Sequence, residues 1–487
     1  MPVNSTNPDY DANSAKWMRI RDVLGGVDAV KEKGVAYLPK PNGHSETDYA
    51  SYVMRSEFYP ASTRTIDGLV GAVFRKEPKI EIPEGQDDLI DAMTIKGTDF
   101  ITLSKKVVRE ILSMGRYGVL VDVMAGENGK PFAAEYTAES ILNWQVSFIN
   151  REPILSMVVL QENSTKPKVD DPFVTEPVER YRVLQLGFPG ELELLNPIYV
   201  QQVYEKQSDG GKETFTLIET VIPKRRGEFL ETIPFSFFGP LELSPAVEKS
   251  PVLDLVDTNI SHYRTSAELE EGAYFTGLPM YVIAGHVQGS SSDGVAEFAI
   301  GSRQALLLDE NGTAEVLTVD GEGMGLLRSL MEDKEKRMAV LGARILEDQK
   351  SGVEAAATVS MRHRGENSLL GSISDTAARG LVEVLKTMIW WNGVDDPDVE
   401  VELNRDFTSL QLTGAELVQL TAAFQTGSIG PEVFFKALKD GERTPDGWDV
   451  DDWLADIEAG ADAFSRSLTN ETGDDEEEDD EEEDEEQ

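Results

Sequence analysis

The sequence predicts an α+β protein of several subdomains, in which two long helices separated by a short β insert lead into a third helix. Three observations carry this. Residues 141–238 break into short runs rich in Val, Ile, Tyr and Phe (WQVSFI, ILSMVVLQE, RYRVLQL, IYVQQVYE, FTLIETVIP) set apart by turn residues, the pattern of a mostly antiparallel sheet. Residues 250–272 and 325–346 instead carry apolar side chains at 3,4 spacing. At 487 residues the chain is also longer than one compact core supports.

Taken in order, residues 1–35 read as a polar arm and a short helix around 17–24 that Gly25-Gly26 ends. YLPKPNG (37–43) is a loop, and Tyr49, Tyr52, Val53 and Phe58 give one helical face. STRTIDGLVGAVF (62–74) places Ile66, Leu69, Val70 and Val73 on one side of a helix that Pro78 stops. A further amphipathic helix over 103–114 is closed by Gly115, and YGVLVDV (117–123) is a strand. Asp209-Gly210-Gly211 turns the last two strand runs into a hairpin. Ser250-Pro251 opens the first long helix, with Leu253, Val256, Ile260, Tyr263 and Ala267 as its stripe. Strands LPMYVIAG, QALLLD and AEVLTV interrupt, and a second stripe follows: Leu327, Met331, Met338, Leu341 and Ile345, with Lys334 at a seam position. Periodicity alone fits an ordinary antiparallel core pair equally well; the β module between the helices favours a projecting one. After the polar segment EDQKSGVEA, residues 354–392 read as one long helix kinked near Gly365 or Gly371. In LTGAELVQLTAAFQTGSIGPEVFFKALKDG (412–441), Thr413 is placed to cap one helix and Pro431 to start the next.

Composition excludes several functions. There is no Cys and only four His (His44, His262, His286, His363), so disulfides and thiolate metal sites are ruled out. The N-terminus lacks the basic and apolar regions of a secretory signal, and no run of about 18 apolar residues suggests a membrane span. The formal charge is −44; residues 474–486 supply 13 acidic groups, which leaves −31 (44 minus 13) on the body and an expected disordered tail. Basic residues cluster only locally, at 224–226 and 334–337, so tight DNA binding is not expected, although a surface past which DNA slides is compatible.

Catalysis is not expected either. No GxxxxGK[ST] phosphate loop occurs. Asp122, and Asp254 with Asp257, resemble acidic pairs that hold Mg2+, yet among 89 acidic residues such pairs arise by chance. His363 and Glu366 have the i, i+3 spacing of di-metal bundles without a second copy of the motif, so no metal and no cofactor is expected. Trp390-Trp391 reads as a helix-end anchor.

In this order the fragments YLPK (37–40), TRTIDGLVGAVFRKEP (63–78), GRYGVLVDV (115–123), SPVLDLVDTNISHYRTSAELEEG (250–272), SGVEAAA (351–357) and the LTGAEL…GSIGPEVFFKAL end resemble the portal proteins of tailed double-stranded DNA phages, over roughly residues 10–460. The resemblance implies an arm and α+β wing over 1–249, stem helices at 250–272 and 325–346, a small β-containing clip at 273–324, a tunnel loop at 347–354, a long wing helix at 355–393, a helical crown at 394–470 and the acidic tail at 471–487. It implies a ring of about twelve copies closed by head-to-tail contacts at a capsid vertex of the virion. The stem stripes Leu253, Val256, Ile260, Tyr263, Leu327, Met331, Met338, Leu341 and Ile345 would serve oligomerisation. Asp348, Gln349, Lys350, Ser351, Gly352 and Val353 would face DNA in the channel. Arg362 and Arg364 are candidates for pairing with a neighbouring subunit's carboxylates. The implied partners are the terminase large subunit, a head-tail adaptor, the major capsid or scaffolding protein, and duplex DNA passing without sequence preference. Another virion protein, such as a head-tail adaptor, is the alternative.

Overall fold

The computed structural model describes residues 2–124, 129–149, 151–168, 171, 173–187, 197–209, 212–277, 280–284, 313–317, 322–343, 345, 368–405, 407, 414–440, 443–444 and 448–457. It divides into two units, 1–407 and 408–487.

The first unit opens with helices α1 (Pro8–Leu24), α2 (Gly26–Glu32), α3 (Glu46–Arg55) and α4 (Ala61–Val73), strand β1 (Lys79–Glu81), and helices α5 (Asp87–Asp91) and α6 (Phe100–Met114). The α1 helix starts well before residue 17 because the Asn7 side chain accepts the Asp9 N–H and Pro8 occupies the first turn. In α6, Leu103, Val107, Val108, Ile111, Leu112 and Met114 are buried, Asp99 caps the start through the Thr102 N–H, and Gly115 ends the helix in the left-handed region at φ 72°. A Cβ at Gly115 would lie 3.0 Å from the Glu248 carbonyl oxygen, so the glycine also lets the segment before residue 250 pack against the helix end.

Strands β2 (Tyr117–Val123), β3 (Pro131–Thr137), β4 (Ile141–Ile149), β5 (Glu152–Pro167), β6 (Thr175–Leu186), β7 (Tyr199–Asp209), β8 (Lys212–Val221), β9 (Lys224–Arg225), β10 (Glu228–Phe229) and β11 (Phe235–Phe238) follow. β4 to β8 form a five-stranded antiparallel meander, and β11-β2-β3 a three-stranded antiparallel sheet. The β7–β8 hairpin turns where the Asp-Gly-Gly sequence demands, with Asp209 opposite Lys212. One face of the meander packs on the small sheet through Leu120, Trp144, Val158, Leu160, Tyr199 and Phe235.

Helix α7 (Leu253–Gly277), strands β12 (Met280–Ala284) and β13 (Thr313–Leu317), and helices α8 (Glu322–Ala343) and α9 (Leu369–Trp391) come next, then β14 (Glu400–Glu402). The α9 helix begins at residue 369 and not at 354. Ser368 is extended at ψ 155° and its side chain accepts the Gly371 N–H, an N-cap that ends any helix arriving from before it. Through its middle α9 is enclosed by the helical core, and Phe238 lies so close to Gly380 that a Cβ there would come within 2.3 Å of the ring. Residues 394–407, expected in the crown, belong to this first unit. β14 pairs antiparallel with β1, and the Asn404 side chain donates to the Ala72 carbonyl.

The second unit contains α10 (Gly414–Gln425), α11 (Pro431–Asp440) and a helical stretch over 450–457. Pro431 starts α11 as its position predicts, while Thr413 lies outside the described residues. Phe424 stacks on Phe434 at 4.5 Å, and the Trp453 ring lies 5.6 Å from Phe434 and 5.8 Å from Phe435, an aromatic core for a unit too small to have a larger one. QALLLD, residues 346–367 and the acidic tail also lie outside the described residues.

Candidate functional site: a two-helix stalk

The chain leaves the body along α7, turns through the antiparallel β12–β13 pair and returns along α8. The two helices run antiparallel: Leu255 clusters with Met338, His262 meets Glu335, Thr265 meets Lys334, and Thr276 meets Met324. Along α7 burial falls off with distance from the body. Val252, Val256, Asn259, Ile260, Tyr263 and Ala267 are buried, whereas Tyr274 and Phe275 are exposed. At about 1.5 Å per residue, the 25 residues of α7 span about 37 Å.

The base of the stalk is fixed by polar contacts, of which the sequence singled out Tyr263 and Asp257 in other roles and left Asn259, Ser62 and Arg19 unmarked. Asn259, fully buried, accepts from the Ser62 N–H and hydroxyl and donates to the Tyr59 carbonyl, which ties α7 to the start of α4. The Tyr263 hydroxyl is 2.9 Å from the Ser56 hydroxyl, Arg264 donates to the Tyr37 carbonyl, and Arg19 pairs with Asp257 at 3.0 Å. Further out, Glu271 takes Arg55, whose guanidinium lies 4.1 Å from the centre of the Tyr274 ring. Single-sequence periodicity passes over Asn259 because its partners are about 200 residues away; a polar residue between Val256 and Ile260 was the available signal.

The stem stripes are placed differently from expectation. Val256, Ile260 and Tyr263 belong to the main helical core, and Leu253 packs against that core half-buried. A different face of α7, with Leu255, Ser261, His262 and Thr265, meets α8. On α8 the expected stripe does face inward: Met338 is buried, and Leu327, Met331, Lys334 and Leu341 are half-buried at the same 3,4 spacing, while Ile345, just past the helix end, is buried in the main core. These side chains are therefore covered within one chain, since α7 lies between a large apolar body and α8 and supplies a face to each. What the stalk leaves exposed is Tyr274, Phe275, Leu326, Leu330 and Val340.

The helix–helix seam is largely polar. The Lys334 ammonium donates to the Ser261 carbonyl at 2.9 Å and the Thr265 hydroxyl at 2.6 Å, and burial pulls its pKa down against the opposing pull of Glu268. His262, 2% exposed, places Nε2 3.2 Å from a Glu335 oxygen, with its Nδ1 buried and unpartnered among the described residues.

Ile345 and α9 close the base of the segment between them. The Leu370 N–H donates to the Ile345 carbonyl at 3.0 Å, so the chain departs and re-enters at one point. Asp348, Gln349, Lys350, Ser351, Gly352 and Val353, with Arg362, Arg364, His363 and Glu366, lie outside the described residues between those two ends.

The acidic pairs resolve into ion pairs. Asp254 takes Lys249 and Asp257 takes Arg19, while Asp122 accepts from Gln201 and lies 3.8 Å from Arg182. Among the described residues no group of three His, Asp or Glu is placed to hold a metal ion, and no helix is long and apolar enough to cross a membrane. Trp390 and Trp391 contact each other edge to face at 5.3 Å, pack on the second core, and carry Arg225 over the Trp390 ring at 4.3 Å; Arg225 also pairs with Asp395. Of the basic run at 224–226, Arg225 and Arg226 thus bind the end of α9 and the residues just after it, while Lys224 lies over the Phe229 ring.

Residues 251–392, the span holding the stalk and α9, match a family profile described only as a domain of unknown function (DUF4055). No curated protein matches the chain. Among solved structures, it is similar to a chain from the virion of the native gene transfer agent (GTA) particle, at 14% identity and TM-score 0.39 over 84% of this chain and 98% of that one. It is also similar to a chain from the neck of the empty GTA particle, computed with C6 symmetry, at 13% identity and TM-score 0.38 over 80% and 91%. A third is from the neck of the native GTA particle, computed with C12 symmetry, at 13% identity and TM-score 0.36 over 84% and 98%.

Proposed function

We propose that this chain is a structural protein of a tailed-phage-like particle, and within that class a portal subunit that closes with about a dozen copies into a ring through which DNA is packaged and ejected. The observation that carries the reading is the stalk: two antiparallel helices clamped at one end to an α+β body and bearing a small β pair at the other. A globular enzyme has little use for about 37 Å of half-exposed paired helix, and a ring of such chains uses it to build a channel wall.

In this reading the apolar groups that neighbours cover are the exposed Leu326, Leu330, Val340, Tyr274 and Phe275, with the half-buried Leu253, Leu327, Met331 and Leu341 beside them. The β12–β13 end meets the terminase large subunit during packaging and a head-tail adaptor afterwards, and the major capsid or scaffolding protein is a further partner. Catalysis, metal and cofactor play no part. The body's acidic charge repels phosphates over about 8 Å at physiological salt, so a duplex slides without lodging. Lys350, the only cation in residues 347–353, touches it transiently.

Negative-stain imaging together with native mass spectrometry of the purified full chain tests this. Rings with a central channel and a mass of about twelve chains are expected. Monomers or dimers across a wide concentration range overturn the ring, and a small ring seen only on a preformed portal favours an adaptor.

A further inference from the structure

The two edges of the five-stranded sheet are treated differently. Along β4 the chain's own N-terminal arm closes the edge: the Asn7 N–H donates to the Leu142 carbonyl, the Asn143 side chain to the Ser5 carbonyl, and the Asn7 side chain to the Trp144 carbonyl. At the other edge β8 has no neighbour among the described residues. It has no Pro, and its guards are the charged Lys212, Glu213 and Glu219 towards its two ends and an irregularity beside Ile218; between them Thr214, Thr216, Leu217 and Ile218 are exposed and uncharged.

Register identifies the groups on offer. Asp209 lies opposite Lys212 with two residues between them, and the residues that flank a two-residue connection form a hydrogen-bonded pair; by alternation the bonded pairs are then Gln207 with Thr214 and Glu205 with Thr216. The N–H and C=O groups of Glu213, Phe215 and Leu217 therefore point away from β7. These three residues also share one face of the sheet.

We propose that this edge pairs with the same edge of a second copy, antiparallel and about a two-fold axis through Phe215. In that register Glu213 faces the second copy's Leu217, Phe215 faces Phe215, and Thr214 faces Thr216, so the outward backbone groups of both strands bond to each other. Phe215 already packs edge to face on Tyr181 at 5.4 Å, and the axis extends that contact into a continuous aromatic row across both sheets. No like charges oppose each other. Glu213, the acidic residue within the paired stretch, is held by Lys206 at 2.9 Å. The contact is isologous and separate from the head-to-tail contact of a ring, so it holds or fails independently of the ring reading.

The chain has no cysteine, which makes the register directly readable. Thr214→Cys and Thr216→Cys are prepared in the full chain, both at exposed positions, and oxidised mildly alone and mixed. The mixture is expected to give a disulfide-linked pair at several times the yield of either variant alone, and Phe215→Lys added to both is expected to abolish it. Linkage in Thr216→Cys alone places the axis one residue away and overturns this register. Equal, trace linkage in all three samples, with each variant's circular dichroism unchanged, overturns the pairing itself.

Discussion

The Lys334 ammonium lies 2.6 Å from the Thr265 hydroxyl, a cation set into the seam between α7 and α8 without a carboxylate in ion-pair contact among the described residues. A buried polar group in a helix seam fixes register at a cost in stability. Lys334→Met, similar in length and apolar, is expected to leave stability within about 1 kcal/mol of the parent or to raise it. Thr265→Val removes one of two acceptors and is expected to cost about 1–2 kcal/mol in the parent and much less in the Lys334→Met background. Urea unfolding of the four proteins measures this; additive costs show that the two groups do not interact. The lysine's pKa is lowered in the folded state, so the unfolded chain binds more protons in the interval between that value and 10.5. Its penalty is therefore full at neutral pH and is relieved as pH rises through the interval, a trend that Lys334→Met should lack.

Asn259 joins the stalk to the body through three hydrogen bonds and is fully buried. Asn259→Leu keeps the heavy-atom count and the branch at Cγ and strands the Ser62 N–H and hydroxyl and the Tyr59 carbonyl. The expected loss is about 2–4 kcal/mol, read as a lowered urea midpoint. Protease cleavage should appear first near the base of α7. A variant as stable as the parent would show that apolar packing by Val256, Ile260 and Tyr263 holds the stalk by itself.

Much of this organisation was legible in the sequence because it is local. The Asp-Gly-Gly hairpin, the Gly115 stop of α6, the Pro431 start of α11 and the α8 stripe all depend on residues within a few positions of each other. The α7 stripe was found but its destination was not, since 3,4 spacing marks a buried face without saying what covers it. Ser368 was missed as a helix start although a polar stretch, MRHRGEN (361–367), precedes it: the alanines at 355–357 before that stretch and LLGSISDTAARG after it read as one helix, with Gly365 or Gly371 as a kink. The clamp on α7 was invisible for a different reason: Ser56, Ser62, Arg55 and Tyr37 reach it across about 200 residues of sequence.

Arg116 is 1% exposed, with its guanidinium 4.0 Å from the Trp144 ring centre and 4.7 Å from that of Phe237, and one nitrogen donating to the Pro245 carbonyl at 2.7 Å. Burial lowers its pKa to about 9, which leaves it cationic at neutral pH. Stacking between two rings requires a flat cation, so Arg116→Lys is expected to destabilise the fold by about 2–3 kcal/mol although charge is kept. Arg116→Met, which removes the buried charge and keeps much of the packing, should cost less. Thermal unfolding of the two variants checks the order; a lysine variant as stable as the parent would remove the stacking argument.

Deleting residues 349–353 is expected to leave the fold and any ring intact while impairing the packaging or retention of DNA. The structural half follows from the base of the segment. Leu370 bonds to Ile345, and Ser368 caps α9 through the Gly371 N–H, so the two ends are fixed by groups that the deletion does not touch. The functional half rests on charge. Among residues 347–354, Lys350 is the single cation beside Glu347, Asp348 and Glu354, which gives weak, salt-sensitive phosphate contact suited to DNA that must be held and also move. Melting temperature and ring mass should match the parent, and particles assembled with the deleted chain should hold less than full-length DNA. Full packaging and retention would remove the segment from the mechanism and leave the exposed stalk surface to meet DNA, whereas loss of ring or fold would show that residues 349–353 carry structural contacts of their own.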